Sequence, residues 1–258
     1  MSDLLQLQGV TKRFGGLTAV NDVSLSVREG QIYSLIGPNG AGKTTLFNLI
    51  SAVFRPTSGS ILFQGQDLTR MPTHALARLG IARTFQNLAV FKHETVVNNL
   101  LVGMHSHLRS DPFSSALFWG RTRREELRAR DRVEEIIDFL EIEDIRDHPV
   151  GTLSYGQQKR VELGRALAIS PKLLLLDEMV SGMNQEERED IARFILDLKD
   201  ELGMTVFMVE HDMGIVMDIS DRVCVVNYGS KIAEGTPSEI AQNPAVVEAY
   251  LGTKRSAA

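Results

Sequence analysis

The motif at residues 37–44 constrains the fold more than any other feature of this sequence. It reads Gly-Pro-Asn-Gly-Ala-Gly-Lys-Thr, which fits G-x-x-x-x-G-K-[ST], and it stands between the apolar run 31–36 and the helical pattern 45–50. Glycines let the backbone curl so that successive N–H groups point inward, and the following helix adds the positive end of its dipole. A strand, this loop and a helix in that order predict a site for the phosphates of a nucleotide.

The residue types in this phosphate loop have separate chemical roles. The Lys43 ammonium would neutralise charge on the β- and γ-phosphates, and the Thr44 hydroxyl would bind Mg²⁺. Backbone N–H groups of the loop and of the first helical turn would bind phosphate oxygens. The predicted nucleotide-binding residues of this segment are Gly37, Pro38, Asn39, Gly40, Ala41, Gly42, Lys43, Thr44 and Thr45.

Two adjacent acidic residues end a second apolar run. Asp177 and Glu178 follow the leucines at 173–176, a run typical of a strand that is buried on both faces. Ligands of an open α/β sheet bind at the carboxyl ends of its strands. We therefore predict that Asp177 binds Mg²⁺ and that Glu178 is the general base or positions the attacking water. An isolated Asp-Glu pair is more often a solvated turn, and the phosphate loop in the same chain argues against that alternative.

Apolar strands alternate with helical patterns along most of the chain, which predicts an α/β fold with a mainly parallel sheet. Alternating residues at 5–10 and 24–27 favour half-buried strands, and 60–63 is predicted to be a further edge strand. The charged stretch 121–140 has apolar residues at helical spacing. We expect a single domain over 1–258, with a core of residues 1–87 and 161–258, an antiparallel β edge, and an inserted helical subdomain over about 88–160.

The composition excludes several classes of protein. A net charge of −5 over 258 residues argues against a nucleic-acid binder held by bulk charge. The one cysteine, Cys224, excludes a disulfide framework and is expected to be a buried core residue. No apolar run approaches the roughly 18 residues needed to cross a bilayer. Composition alone therefore predicts an ordinary soluble, cytoplasmic protein.

A further motif, Leu-Ser-Tyr-Gly-Gln at 153–157, precedes a helical pattern at 158–169. The Ser154 hydroxyl and the N–H groups around Gly156 at a helix start would form an anion site. A plain helix cap explains the same residues equally well. Local physical reasoning leaves both alternatives open.

Together these motifs resemble those of ATP-binding-cassette (ABC) ATPases, in the order of that family and over about the whole chain. The pentapeptide 153–157 resembles the signature motif of the family. Gln86 matches the Q-loop glutamine, residues 181–184 lie where the D-loop is expected, and His211 matches the switch histidine. Phe14 matches the aromatic residue that stacks on adenine, which is usually a tyrosine.

The resemblance implies a P-loop NTPase fold of the ABC type, with ATP and Mg²⁺ as cofactors. It implies that Gln86 senses Mg²⁺ and the attacking water and that His211, as a neutral donor, bonds the γ-phosphate. It also implies a head-to-tail dimer, in which each ATP lies between the phosphate loop of one chain and the signature motif of the other. Further ATP-binding residues implied in this way are Phe14, Ser154, Gly156 and Gln157.

Two positions depart from the family pattern. Met179 follows the acid pair where proline is usual, and the D-loop reads Ser-Gly-Met-Asn at 181–184 where alanine-glycine-leucine is commoner. The acid pair itself is unchanged. We therefore expect ATP hydrolysis to be retained, and it is the packing of the D-loop on which the two changes bear.

Several stretches resemble the ATPase subunits of branched-chain amino-acid importers in particular, at residues 14–21, 82–87, 233–239 and 249–252. This implies an ATP-hydrolysing subunit that powers an importer of branched-chain or other hydrophobic amino acids. Transmembrane permease subunits and a second ATPase subunit, either the same chain or a related one, would be its partners. A substrate-binding protein would be an indirect partner and nucleic acid none. The implied location is peripheral, on the cytoplasmic face of the inner (plasma) membrane. The apolar-then-basic segment 113–124 fits either contact with a membrane partner or a solvated amphipathic helix.

Other functions remain to be weighed against import. A soluble ABC ATPase of protein or cofactor assembly, such as iron–sulfur cluster assembly, would carry the same motifs without a membrane partner. Cassette proteins of translation or DNA repair usually have two cassettes or a long coiled coil, for which 258 residues leave no room. A simple P-loop kinase needs neither the pentapeptide 153–157 nor His211.

Overall fold

The computed structural model describes residues 3–84, 88–104 and 121–255. Within these ranges the strands are β1 (Asp3–Phe14), β2 (Leu17–Arg28), β3 (Ile32–Ile36), β4 (Ser58–Phe63), β5 (Gln66–Asp67), β6 (Ile81–Arg83), β7 (Leu173–Asp177), β8 (Thr205–Val209), β9 (Arg222–Asn227) and β10 (Ser230–Gly235). The helices are α1 (Lys43–Ile50), α2 (Thr73–Leu79), α3 (Val96–Met104), α4 (Arg121–Phe139), α5 (Tyr155–Leu167), α6 (Gln185–Asp200), α7 (Met213–Ile219), α8 (Pro237–Ala241) and α9 (Pro244–Arg255).

The chain divides into two compact units. The first consists of Met1–Leu76 and Leu173–Ala258, and the second of Ala77–Lys172. The helical subdomain expected from the sequence covers about residues 88–160. The second unit is larger than that expectation, since it also contains β6 and the whole of α5.

The first unit contains an antiparallel sheet with the strand order β2-β1-β4-β5. Apolar residues of β1 face apolar residues of β4, as in the pairs Leu5–Phe63 and Leu7–Ile61, and all four are buried. Alternation of apolar and polar residues thus places one face of each strand in the core. The prediction of β4 as an edge strand is corrected by the two-residue β5, which pairs with its second side.

The second sheet of this unit has the order β10-β9-β3-β8-β7, and its four strands from β9 to β7 are parallel. Every residue of β3, β7 and β8 is buried, as expected for strands covered on both faces. The apolar runs 31–36 and 173–176 therefore predicted β3 and β7 correctly. Cys224 on β9 is a buried free cysteine, and burial raises its pKa to about 12.

Aromatic side chains pack α1 against this parallel sheet. The Phe207 ring on β8 stacks on Tyr33 of β3 with a centroid separation of 5.6 Å, and the Phe47 ring of α1 lies 6.3 Å from Phe207. Burial of each phenylalanine ring stabilises the fold by about 1.5–3 kcal/mol relative to an exposed one. The helix that follows the phosphate loop is thereby held against the strands that carry the site.

The second unit is mainly helical. Helix α4 buries Val133, Ile136 and Ile137, which confirms the helical spacing seen in the sequence. Helices α3 and α5 approach closely at Gly164, where a Cβ atom would lie 2.6 Å from Cδ2 of Leu100. Residues 113–120 of the apolar-then-basic segment lie outside the described ranges. Within those ranges, no helix combines the length and apolarity that crossing a membrane requires.

Candidate nucleotide-binding site

Three neighbouring strands of the parallel sheet end at the same edge. The phosphate loop follows β3, Glu178 follows β7, and His211 lies two residues after the end of β8, which runs between them. This is the edge at which an open α/β sheet binds ligands. Residues far apart in the chain are therefore brought together by strand order alone.

A cavity of about 470 Å³ lies at this edge. It is large enough for a ligand of nucleotide size, since small-molecule sites commonly measure about 300–1,000 Å³. All of its lining residues belong to the first unit, and they are Leu17, Thr18, Ala19, Asn39, Gly40, Ala41, Gly42, Lys43, Thr44, Thr45, Glu178, His211, Tyr228 and Gly229.

The phosphate loop requires glycine where its backbone turns into α1. Gly42 has φ = 100° and is the N-cap of α1, with no side-chain cap. A Cβ atom at Gly42 would lie 2.4 Å from the carbonyl oxygen of Ala19. The first N–H groups of a helix have no partner within the helix, so this turn presents backbone donors next to the cavity.

Lys43 is folded against its own loop. Its Nζ donates to the carbonyl oxygens of Gly37 at 2.6 Å and Pro38 at 3.0 Å, and the residue is buried. Burial lowers the pKa of Lys43, and the negative charge of Glu178 acts in the opposite direction. The cation is thus held by neutral carbonyls, which are weaker partners than an anion would be.

Glu178 and His211 contact each other at the mouth of the cavity. Nε2 of His211 lies 2.6 Å from Oε1 of Glu178, and the side chains are 45% and 16% exposed. The backbone of Glu178 has φ = 50°, a left-handed conformation, and its N–H donates to the Val209 carbonyl. Non-glycine residues with such backbones are uncommon and concentrate at functional sites.

Asp177 is the last residue of β7 and is 3% exposed. It is not one of the cavity-lining residues. Met179 and Val180, next to the acid pair, are buried as well. The methionine that replaces the usual proline therefore packs into the core and leaves the acid pair at the strand end.

Glu210, which the sequence reasoning missed, is a buried carboxylate between the last residue of β8 and His211. The pKa of Glu210 is raised to about 7, chiefly by burial and to a smaller extent by the charge of Glu178, although hydrogen bonds from the Val180, His211 and Met179 N–H groups act to lower it. An acidic residue after a strand is unremarkable in sequence. Its one signal was a position between an apolar run and His211.

Phe14, predicted to stack on adenine, packs edge-to-face on Phe54 with a centroid separation of 5.3 Å. The Nζ of Lys12 lies 4.9 Å from the centre of the Phe14 ring, and Phe14 is 43% exposed. It does not line the cavity in this structure. The cavity lining instead includes residues 17–19 and Tyr228, which the sequence did not single out.

The signature pentapeptide forms a helix cap. The Ser154 Oγ accepts the Gln157 N–H at 3.2 Å, and the Gln157 Oε1 accepts the Ser154 N–H at 3.0 Å. This reciprocal capping box starts α5 and confirms the cap alternative, while an anion-binding role of Ser154, Gly156 and Gln157 stays a prediction. These residues belong to the second unit. Gln86 lies outside the described residues.

The donor set at the cavity fits a hard divalent cation such as Mg²⁺. The hydroxyl-bearing Thr44 is exposed in the cavity, and oxygen ligands are those that Mg²⁺ prefers. Among the described residues no group of three or more His, Cys, Asp or Glu could hold a metal ion. Sites that bind Mg²⁺ together with a nucleotide commonly use one or two protein ligands, with phosphate and water oxygens as the others.

The α/β fold with a phosphate loop at the sheet edge defines the class of P-loop nucleotide-binding proteins. Comparison with known proteins shows the family to which the chain belongs. The ABC transporter family model matches residues 20–181, more than half of the 258 residues. The chain belongs to this family and is an ATP-binding ATPase. A second model, for branched-chain amino acid ATP-binding cassette transporters, matches residues 230–255.

Within this family, the chain is similar to several curated ATP-binding proteins of branched-chain amino acid transport. The chain is 43% identical over 249 residues to the high-affinity branched-chain amino acid transport ATP-binding protein BraF of Pseudomonas aeruginosa, covering 96% of this chain and 98% of that protein. It is 42% identical to LivG of Escherichia coli K12 with the same coverage. It is 38% identical to a probable LivG of Archaeoglobus fulgidus, covering 98% and 97%.

Solved structures confirm the predicted ABC ATPase fold. The ADP conformation of MJ1267, an ATP-binding cassette of an ABC transporter, matches with a TM-score of 0.85 and 34% identity over 98% of this chain and 100% of that one. A dimeric post-hydrolysis state of the cassette MJ0796, bound to ADP and Pi, matches with a TM-score of 0.75 and 26% identity over 90% and 98%.

Proposed function

We propose that this chain is the ATP-hydrolysing subunit of an ABC importer for branched-chain amino acids. The observation that carries the proposal is the convergence of the phosphate loop, Glu178 and His211 on one cavity. The transport names of the BraF and LivG relatives support the cargo class. Assembly of iron–sulfur clusters or of other proteins has no support among these relatives.

In the proposed site the phosphates of ATP bind at the first turn of α1. Lys43 exchanges the carbonyls of Gly37 and Pro38 for the β- and γ-phosphate oxygens, which are stronger partners because they are charged. The backbone N–H groups of residues 40–45 donate to the remaining phosphate oxygens, and the positive end of the α1 dipole favours their charge. We assign Phe14 to the adenine base.

Thr44 and Asp177, with Gln86, are the residues that would hold Mg²⁺. When bound, the ion neutralises charge on the β- and γ-phosphates. Thr44 contributes from the cavity wall and Asp177 from the end of β7. Both positions offer oxygen ligands, as Mg²⁺ requires.

Hydrolysis is assigned to Glu178 and His211. Glu178 accepts a hydrogen bond from the attacking water and aligns it with the γ-phosphorus. His211 donates its Nε2–H to a γ-phosphate oxygen. The Nε2–H tautomer serves both states of this site, because the Glu178 carboxylate, its partner in the structure, and a phosphate oxygen are both acceptors.

We further propose that two cassettes share each ATP. Ser154 and Gly156, at the start of α5, would contact the γ-phosphate bound at the phosphate loop of the partner cassette, with Gln157 beside them. The MJ0796 structure is a dimer bound to ADP and Pi, which supports this arrangement. ATP would then favour the closed dimer, because only the closed form offers both halves of the site.

The proposed partners are transmembrane permease subunits, a second ATPase subunit and, indirectly, a substrate-binding protein. The names of the relatives, which are transport ATP-binding proteins, support these partners. The chain would act at the cytoplasmic face of the membrane, where ATP is available. Within the described residues it has no membrane-crossing helix, so permeation would depend on other chains.

The ATPase assignment is tested with Glu178→Gln. We expect ATP to bind with unchanged affinity and steady-state hydrolysis to fall by about a hundredfold or more, because an amide cannot take up the proton of water. The exposed Glu248→Gln is the matched control and should hydrolyse ATP at the wild-type rate. Wild-type turnover in Glu178→Gln would refute the assigned role.

The cargo assignment is tested in the assembled complex. The chain is co-expressed with its permease subunits in vesicles, and ATP hydrolysis is measured with the binding protein and leucine, isoleucine or valine. Stimulation by these amino acids supports the proposal. Stimulation by a different solute alone would contradict the cargo class and leave the ATPase assignment intact.

A further inference from the structure

Glu210 is a buried acid to which the proposed reaction assigns no part. It is 4% exposed and directly precedes His211. Burying a carboxylate is costly unless hydrogen bonds compensate for the lost water. A buried carboxylate therefore needs hydrogen-bond donors, and the donors that contact Glu210 indicate its role.

The two carboxylate oxygens of Glu210 are divided between two segments. Oε1 accepts the Val180 N–H at 3.2 Å, and Oε2 accepts the His211 N–H at 3.4 Å. The Met179 N–H also donates to this carboxylate. One side chain thus joins the segment that directly follows Glu178 to the segment that carries His211.

We infer that Glu210 is a positioning residue that keeps the Glu178 carboxylate and the His211 imidazole in their 2.6 Å contact. The inference rests on the proposed roles of Glu178 and His211 in ATP hydrolysis. Because Val180 opens the D-loop region, Glu210 also couples the position of that loop to the histidine. Both segments belong to the first unit.

The contacts require a carboxylate and not merely a polar side chain. Two acceptor oxygens face N–H donors on two segments, whereas glutamine has one acceptor oxygen and an NH₂ group that can only donate. Met179 contributes a donor that the proline usual at this position lacks, since proline has no N–H. The local departure from the family pattern thus adds a hydrogen bond to this cluster.

The test compares Glu210→Gln with Glu210→Asp in the purified full-length chain. We expect Glu210→Gln to lower kcat by about tenfold with an unchanged ATP dissociation constant, because Glu178 and His211 lose alignment while the phosphate loop is untouched. Glu210→Asp keeps both acceptors and should retain more of kcat than Glu210→Gln. The matched control is Glu234→Gln, a partly buried acid on β10 outside the cavity, which should leave kcat unchanged.

Three readouts separate positioning from general support of the fold. The ¹³Cε1 NMR signal of the His211 ring should shift in Glu210→Gln and stay in place in the control. A parallel loss of ATP affinity and kcat, or a wild-type kcat in Glu210→Gln while Glu178→Gln is inactive, would overturn the inference. If Glu178→Gln is itself fully active, the proposed function fails instead. Should Glu210→Gln not fold, a wild-type kcat and an unmoved His211 signal in Glu210→Asp and Glu210→Ala would overturn it.

Discussion

Nε2 of His211 and Oε1 of Glu178 lie 2.6 Å apart, so the ends of β8 and β7 are joined by a side-chain hydrogen bond. These strands are neighbours in the sheet, and the pair needs no further segment to assemble. In the proposed mechanism, a His211 N–H that bonds either the Glu178 carboxylate or the γ-phosphate would link the position of the water-orienting group to the presence of that phosphate. Substitutions at the two residues should therefore be non-additive.

His211→Ala is expected to reduce ATP hydrolysis by about a hundredfold, which is within the range for losing a placed donor or proton-transfer group. ATP affinity should change little, because the phosphate loop supplies most of the phosphate contacts. The measurement is steady-state ATPase activity beside equilibrium binding of ATP. In the double variant His211→Ala/Glu178→Gln the losses should not multiply; multiplied losses would show that the two residues act independently.

Mixing two inactive chains should restore hydrolysis if each site is built from two cassettes. Ser154→Arg blocks the signature half, and Lys43→Ala removes the phosphate-loop cation. A mixed dimer then contains one intact composite site, so ATPase activity should appear on mixing and peak near equal amounts. Each variant alone sets the baseline. Absence of any gain, with dimers shown by light scattering, would contradict the shared site.

Tyr228→Asn is expected to stabilise the protein. Tyr228 has φ = 45° in the turn between β9 and β10 and is 86% exposed, so little packing is lost on substitution. Asparagine adopts left-handed backbones more readily, and the gain should be about 0.5–1 kcal/mol in the free energy of unfolding. Thermal or urea denaturation measures it.

The neighbouring Gly229→Ala serves as the contrast to that variant. Gly229 has φ = 80°, and a Cβ atom there would lie 2.9 Å from the Ala19 carbonyl oxygen. This substitution should destabilise the protein by more than about 1 kcal/mol. A loss of stability in Tyr228→Asn would show that the tyrosine ring makes contacts that outweigh the backbone strain.

Glu234 predicts a pH dependence of stability. Burial acts to raise its pKa, but hydrogen bonds from Lys231 and Arg222 outweigh burial, and the pKa lies below its usual 4.5. Tyr33 and Cys224, the other titratable groups that face it, have pKa values raised by burial and stay neutral in acid.

The sign follows from proton binding. The folded state binds fewer protons than the unfolded state as Glu234 titrates, so its contribution is present above about pH 4.5 and is lost as pH falls through the folded pKa. Glu234→Gln should therefore lower the free energy of unfolding at pH 7, and the gap to wild type should narrow below pH 4. A gap that is independent of pH would contradict this assignment.

Much of the fold could be predicted from the sequence because local patterns carried it. The apolar runs 31–36 and 173–176 form the buried parallel strands β3 and β7, and Gly42 of the phosphate loop has a backbone position that a larger residue would not tolerate. The acid pair was placed correctly at the end of β7. In each of these cases the apolar run, the strand that it forms and the site residues lie next to one another in the sequence.

The parts that were missed depend on contacts between distant segments. Glu210 has a role only because β7 and β8 are neighbours, and Tyr228 faces the cavity only because the β9–β10 turn lies beside Ala19. The end of the second unit at Lys172 also depends on contacts between residues that are distant in the sequence. The local composition does not change at this position. Strand order is the information that a single sequence does not display.

The position of β8 between β3 and β7 has a consequence for how this protein can change during evolution. Adjacent strands are spaced about 4.8 Å apart by backbone hydrogen bonds, so the phosphate loop and Glu178 are separated by two such steps, about 10 Å. The spacing is set by hydrogen bonds between backbone peptide groups and does not depend on which side chains the strands carry. Exchanges among Leu, Val and Met in these strands can change the stability of the protein. The distance between the phosphate loop and the Glu178 carboxylate stays the same.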